Sequence, residues 1–64
     1  MTPTVRYDRE SDAAYIRFSP EAVLENEEVS DGIVLDYDAD GRIVGMAVME
    51  ASRHLSPITL AEAA

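Results

Sequence analysis

Asp31-Gly32-Ile33-Val34-Leu35-Asp36-Tyr37-Asp38-Ala39-Asp40-Gly41-Arg42-Ile43-Val44-Gly45-Met46-Ala47-Val48-Met49 places two apolar, β-branched runs on either side of Asp38-Ala39-Asp40-Gly41. Such runs around a short Asp/Gly break read as a β-hairpin. Asp at the first position of a type I turn, with Gly at the fourth to adopt the left-handed conformation, returns the chain antiparallel. With Asp38 opposite Arg42, Tyr37 faces Ile43, Leu35 faces Gly45 and Ile33 faces Ala47. Ile33, Leu35, Tyr37, Ile43, Ala47 and Met49 then share one face, and Val34, Val44, Met46 and Val48 share the other with Asp36. Both faces are therefore largely apolar, which a sheet with one wet side does not require. Gly45 and Ala47 leave room for a bulky group, and the C-terminal segment is the expected occupant. Val34, Val44, Met46 and Val48 are then the candidates for an assembly surface, or for the core face with the roles of the two faces exchanged.

Upstream, Val5-Arg6-Tyr7 and Ala13-Ala14-Tyr15-Ile16-Arg17-Phe18 alternate as half-buried strands do, and the Gly-free cluster Asp8-Arg9-Glu10-Ser11-Asp12 between them predicts a hairpin loop of several residues. Ser19-Pro20 ends the second strand, because proline donates nothing to a ladder. Glu21 to Val29 reads as a short acidic edge strand, where charge discourages sheet-to-sheet pairing. Glu50 to Leu55 loses the period of two and reads as a helical turn. Ser56-Pro57 then has the form of an N-cap followed by proline at the first helical position, predicting a second short helix. The expected fold is α+β. It is a single domain over residues 1–64, an antiparallel sheet of four to five strands in a meander of hairpins, with a short C-terminal helical segment.

A chain of 64 residues buries only about 60% of the surface its unfolded form exposes, so domains of this size commonly need a staple. With no cysteine, disulfides and thiolate metal sites are excluded, and self-association is the cheapest further source of burial. A homodimer is expected. Five basic and 13 acidic residues give a net charge of −8, which repels phosphate backbones, so no nucleic-acid partner is expected and a basic protein partner is favoured. No apolar run is long enough to span a membrane, and Met1-Thr2-Pro3-Thr4-Val5-Arg6 lacks a signal-peptide pattern, so a soluble, cytoplasmic protein without membrane association is expected.

Tyr7-Asp8-x-Glu10-x-Asp12-Ala13-x-Tyr15-Ile16, then Val29-x-x-Gly32-Ile33-Val34-x-Asp36-x-Asp38-x-x-Gly41 with Gly45, and finally Ala51-Ser52, resemble the small prokaryotic proteins grouped as domain of unknown function 2283. The resemblance covers roughly residues 5 to 55. It implies a small stand-alone prokaryotic protein with a compact sheet and a C-terminal helical element. It carries no established activity and no catalytic residues.

Asp36-x-Asp38-x-Asp40-Gly41 imitates half of a calcium loop, with Ile43 at the β-branched position. The place of the closing bidentate glutamate is taken by Ala47, so further ligands would have to come from Glu25, Glu27 or Glu28. Asp36, Asp38 and Asp40 are thus the metal candidates, for weak calcium or magnesium binding, although a plain turn demands the same residue types. Asp8, Glu10 and Asp12 form a second acidic cluster, but acid–base catalysis needs a carboxyl in a dry pocket, which a charged loop does not offer. His54 is the only histidine, the serines lack a nucleophile elbow, and Tyr7, Tyr15 and Tyr37 have too few basic neighbours for nucleic-acid stacking. No catalytic or cofactor-binding residue is assigned. The expected role is a non-enzymatic, homodimeric interaction module that binds a protein, in the manner of an antitoxin or inhibitor. The competing class is a divalent-metal-binding protein or carboxylate-based metal-dependent enzyme organised around Asp36, Asp38 and Asp40.

Overall fold

Strand character and the acidic edge combine into one five-stranded antiparallel sheet with two short helices following it, an α+β fold. The computed structural model describes residues 3–63. The elements are β1 (Thr4–Asp8), β2 (Ala13–Arg17), β3 (Glu25–Ser30), β4 (Ile33–Tyr37), β5 (Ile43–Val48), α1 (Ala51–His54) and α2 (Pro57–Ala63).

The strand order is β1-β2-β5-β4-β3, so hairpins form between chain neighbours but β3 does not pair with β2, as a simple meander would require. β5 and β4 lie between them, with β5 pairing with β2. Composition explains the order: β5 is Ile43-Val44-Gly45-Met46-Ala47-Val48, without a charge, whereas β3 is Glu25-Asn26-Glu27-Glu28-Val29-Ser30 and is exposed along its whole length. A central strand is covered on both sides and an edge strand is not, so the uncharged strand goes inside and the acidic one outside. The chain reaches the far edge by crossing one end of the sheet. Phe18 and Ser19 donate their amides to the Val44 carbonyl (2.9 and 3.3 Å), and Leu24 donates to the Tyr37 carbonyl (2.8 Å). The Arg17 side chain holds this crossover, donating from Nε to the Ser19 carbonyl at 2.6 Å and from a terminal nitrogen to the Glu21 carbonyl.

At the central hairpin the turn forms as its residues demand. Gly41 donates to the Asp38 carbonyl (3.1 Å), Asp38 donates to the Arg42 carbonyl (3.0 Å), and Gly41 has φ +77°. Tyr37 pairs with Ile43, but Asp36 then pairs with Gly45, leaving Val44 as an unpaired bulge residue. Beyond the bulge the register is Leu35 with Met46, Val34 with Ala47 and Ile33 with Val48. This corrects the expected pairing of Leu35 with Gly45 and Ile33 with Ala47. A shift of one residue moves every subsequent side chain to the opposite face. Ile33, Leu35, Met46 and Val48 consequently share one face, and Val34, Asp36, Gly45 and Ala47 share the other.

The helices cover one end of the first face. Ala14, Val48, Ala51 and Leu60 form the buried cluster, with Tyr7, Met46 and Leu55 packed against it. Ser56 caps α2, its hydroxyl oxygen accepting the Thr59 amide at 3.3 Å. A helix of 7 residues has too few internal bonds to persist alone. Leu60, 8% exposed, is its buried anchor. Leu60→Ala is expected to cost about 2–3 kcal/mol, read as a lower urea midpoint with an unchanged slope.

Candidate functional site

Each polar cluster singled out by the sequence is positioned by its own local geometry. In the β1–β2 loop, the Asp8 carboxylate accepts the Glu10 amide (3.0 Å) and the Ser11 hydroxyl (3.0 Å), closing a local turn. Asp12 adopts φ +53°, a left-handed conformation in which Asp is several-fold enriched. From there its Oδ1 accepts the Tyr7 hydroxyl (2.7 Å) and the Ser52 amide (3.1 Å), while Oδ2 accepts the Ser52 hydroxyl (2.6 Å). The Asp12 carbonyl also accepts the Ala51 amide at 2.8 Å. One residue thus ties the start of α1 to the sheet across 40 positions of sequence.

The Ser52 hydroxyl and then the Tyr7 hydroxyl hold the Asp12 carboxyl below its ordinary value of 3.8. A folded pKa below the unfolded one adds stability that is complete above the unfolded value and is lost as pH falls through the depressed folded value. Melting temperature should therefore fall below about pH 4, and less steeply in Asp12→Asn, which has no charge to titrate. Equal slopes in the two proteins would place the acid sensitivity elsewhere.

On the second sheet face, the Tyr15 hydroxyl donates to Asp36 Oδ2 at 2.6 Å, with Arg17 more distant at 3.4 Å from that hydroxyl. Tyr15 reaches Asp36 by lying across Gly45: a Cβ there would come within 2.8 Å of Tyr15 Cζ. The room left by Gly45 is therefore taken by a tyrosine of the neighbouring strand, not by the C-terminal segment. The bond to Asp36, followed by burial, raises the Tyr15 pKa, while Tyr7 is raised mainly by its bond to Asp12 and Tyr37 by burial beside Glu27.

The calcium-like triplet is divided among separate tasks. Asp38 accepts the Asp40 and Arg42 amides (2.9 and 3.0 Å) and so organises the turn. Asp36 engages Tyr15 on the second face, and Asp40 is exposed at the loop tip. Among the described residues no three His, Cys, Asp or Glu side chains are grouped so that they could hold one ion. Asp8, Asp12 and Asp36 likewise stay apart, each with its own donors. His54 is exposed, its Nδ1 lying 3.2 Å from the Glu50 carbonyl, and the neighbouring Arg53–Glu50 ion pair (2.8 Å) is also exposed. A solvated pair of this kind contributes little to stability.

The family described as Protein of unknown function (DUF2283) matches residues 4–52. The chain belongs to this family. The matched segment of this DUF2283 protein contains the whole sheet, the Asp12–Ser52 connection and the Tyr15–Asp36 bond, and α2 lies outside it. No curated protein and no solved structure matches the chain. No helix among the described residues is long and apolar enough to cross a membrane.

The expected assembly residues Val34, Val44, Met46 and Val48 do not form one surface. Val44 and Val48 are each 1% exposed within the chain, and Val34 lies on the face opposite Met46. Elsewhere on the first face, past the reach of the helices, Phe18, Leu35, Ile43 and Met46 line a shallow depression, while Leu24 and Ile58 are more exposed still. Phe18 is 38% and Ile43 48% exposed. Sequence reading missed Phe18 as a surface residue because strand alternation alone does not show where the helices stop. Ile43 was assigned to the same face as Leu35, and only the bulge at Val44 brings Met46 beside them.

Proposed function

We propose that this DUF2283 protein acts by binding and not by catalysis, as a small acidic interaction module that self-associates and engages a protein partner. The observation that carries this reading is the open apolar depression at Phe18, Leu35, Ile43 and Met46, continuous with the core cluster through Met46. Burying these side chains against another chain would take further apolar surface out of water, which drives association. The tyrosines and most of the carboxylates weighed for chemistry have hydrogen-bond partners that explain their positions without a substrate. The exposed glutamates of β3 favour a basic partner over an acidic one.

The test combines metal titration with size measurement. The binding reading expects calcium, magnesium and manganese at millimolar concentration to give no saturable heat and no change in melting temperature, and the protein to sediment above its monomer mass. A saturable heat accompanied by a rise in melting temperature would reverse it in favour of a metal-dependent function at Asp36, Asp38 and Asp40.

A further inference from the structure

The chain enters its helical segment through a strained junction. Only Met49 and Glu50 separate β5 from α1. Glu50 immediately precedes the first helical turn and stands at φ 49°, ψ 50°, left-handed, with no side-chain hydrogen bond to cap the helix. Glutamate does not favour this region, since its Cβ approaches the following carbonyl and it lacks the short polar group by which Asp or Asn compensates. Asp12, at φ +53°, is the other non-glycine residue with positive φ among the described residues. The two meet, because the amide that follows Glu50, that of Ala51, donates to the Asp12 carbonyl at 2.8 Å. The left-handed strain of the fold is therefore gathered at the base of the helices. Strain of this kind persists only where surrounding contacts enforce it, and it clusters at segments that switch.

The contacts that hold the helices down are few. α1 has 4 residues and α2 has 7, neither enough to persist without docking. The Asp12–Ser52 bonds that tie α1 to the β1–β2 loop are solvent-exposed, so water competes for them. The apolar hold is Ala51 and Leu60 on Ala14 and Val48, with Leu55 beside them. The two helices touch each other, and α2 also touches β1. No strand pairing passes through the helical segment, so the sheet keeps its ladders without it. Beneath the helices, Ala14 and Val48 belong to one row of first-face side chains, Tyr7, Ala14, Val48 and Ile33, paired in that order across β1, β2, β5 and β4.

We infer that α1 and α2 form a lid, which undocks as one unit about Met49–Glu50 while the five-stranded sheet stays folded. Opening lets Glu50 leave the left-handed region, and that relief offsets part of the burial lost at Ala51 and Leu60. It uncovers Ala14 and Val48, which then join Tyr7 and Ile33 in an open apolar row across the sheet.

Native-state hydrogen exchange in low urea tests the lid. The Ala51, Leu55 and Leu60 amides, each hydrogen-bonded in the closed state, should exchange through a common opening. Their exchange should be at least about tenfold faster than that of the amides bonding β2 to β5, with one shared urea slope, above zero and below that of global unfolding. Glu50→Gly removes the left-handed penalty and should slow the three amides by about threefold. Glu50→Ala keeps the penalty and equally loses the exposed Arg53–Glu50 pair, so it should not slow them. Exchange of the three amides only together with the sheet, at the global slope, overturns the lid. Exchange without urea dependence, at rates rising toward Ala63, is fraying of separate turns and also overturns it. Equal effects of Glu50→Gly and Glu50→Ala overturn the role of Glu50 as the hinge. Should either variant fail to fold, exchange in the native chain still decides whether the helices open as a unit.

Discussion

Gly45→Val is expected to lose about 3 kcal/mol of stability. The loss would appear as a clear fall in the urea midpoint. For a chain of 64 residues the total available is about 3–10 kcal/mol, so the variant should lose between about a third and all of it. Gly45 is buried in the central strand β5, and Tyr15 passes directly over it to reach Asp36. A Cβ at this position collides with the hydroxyl end of the tyrosine and would also lie 3.3 Å from Asp36 Oδ2. The ring must swing away, which breaks the Tyr15–Asp36 bond. A branched side chain worsens the crowding and leaves no rotamer that avoids it.

The mechanism predicts coupling between the two positions. In a Tyr15→Ala background, Gly45→Val should cost less than in the native chain, because the obstructing ring is gone. Additive effects in the double-mutant cycle would show that Gly45 is required for some reason other than the tyrosine. Tyr15→Phe, which keeps the ring and removes only the hydroxyl, should retain most of the penalty for Gly45→Val, since Cζ alone already lies too close.

Asp12→Ala is the second large effect. It removes the acceptors for the Tyr7 hydroxyl, the Ser52 amide and the Ser52 hydroxyl, and it places alanine at φ +53°. Alanine is disfavoured there because its Cβ approaches the following carbonyl. The helices are then tied to the β1–β2 loop only by the backbone bond from the Ala51 amide to the carbonyl at position 12. The melting temperature should fall by roughly 10 °C, with the helical part of the circular dichroism spectrum lost before the β part. Asp12→Asn, which keeps a side-chain oxygen and tolerates the left-handed conformation, should fall by less. Ser52→Ala, which leaves the Ser52 amide and Tyr7 bonds in place, should be milder still. A native melting temperature in Asp12→Ala would mean that burial of Ala51 and Leu60 alone holds the helices down.

Neither of these two sites could be read from neighbouring residues, as other features of the chain could. The turn at Asp38-Ala39-Asp40-Gly41, the acidic edge at β3 and the Ser56 cap were all legible, because each depends on neighbours in the chain: a left-handed glycine, a run of like charge, a hydroxyl three residues before an amide. The Asp12–Ser52 and Tyr15–Asp36 bonds span 40 and 21 residues, and nothing local announces which acidic residue will meet which hydroxyl. The resemblance to the family already joined Asp12, Tyr15, Asp36, Gly45 and Ala51-Ser52 in one pattern. The structure supplies the physical reason that these residue types occur together.

The bulge at Val44 illustrates the limit most sharply. A single unpaired residue in β5 moved Met46 and Val48 onto the face of Leu35 and Ile33, and moved Ala47 off it. Pairing through the turn was correct as far as Tyr37 and Ile43, and no residue between them and the bulge marks the shift. Alternation along each strand is a local property, so the residues alone mark which segments are strands, where they turn, and that both faces of the hairpin carry apolar side chains. Which apolar residues would be buried, and which left open at Phe18 and Ile43, was decided only in the tertiary structure. It depends on the bulge, on the insertion of β5 between β2 and β4, and on how far two short helices reach across one face.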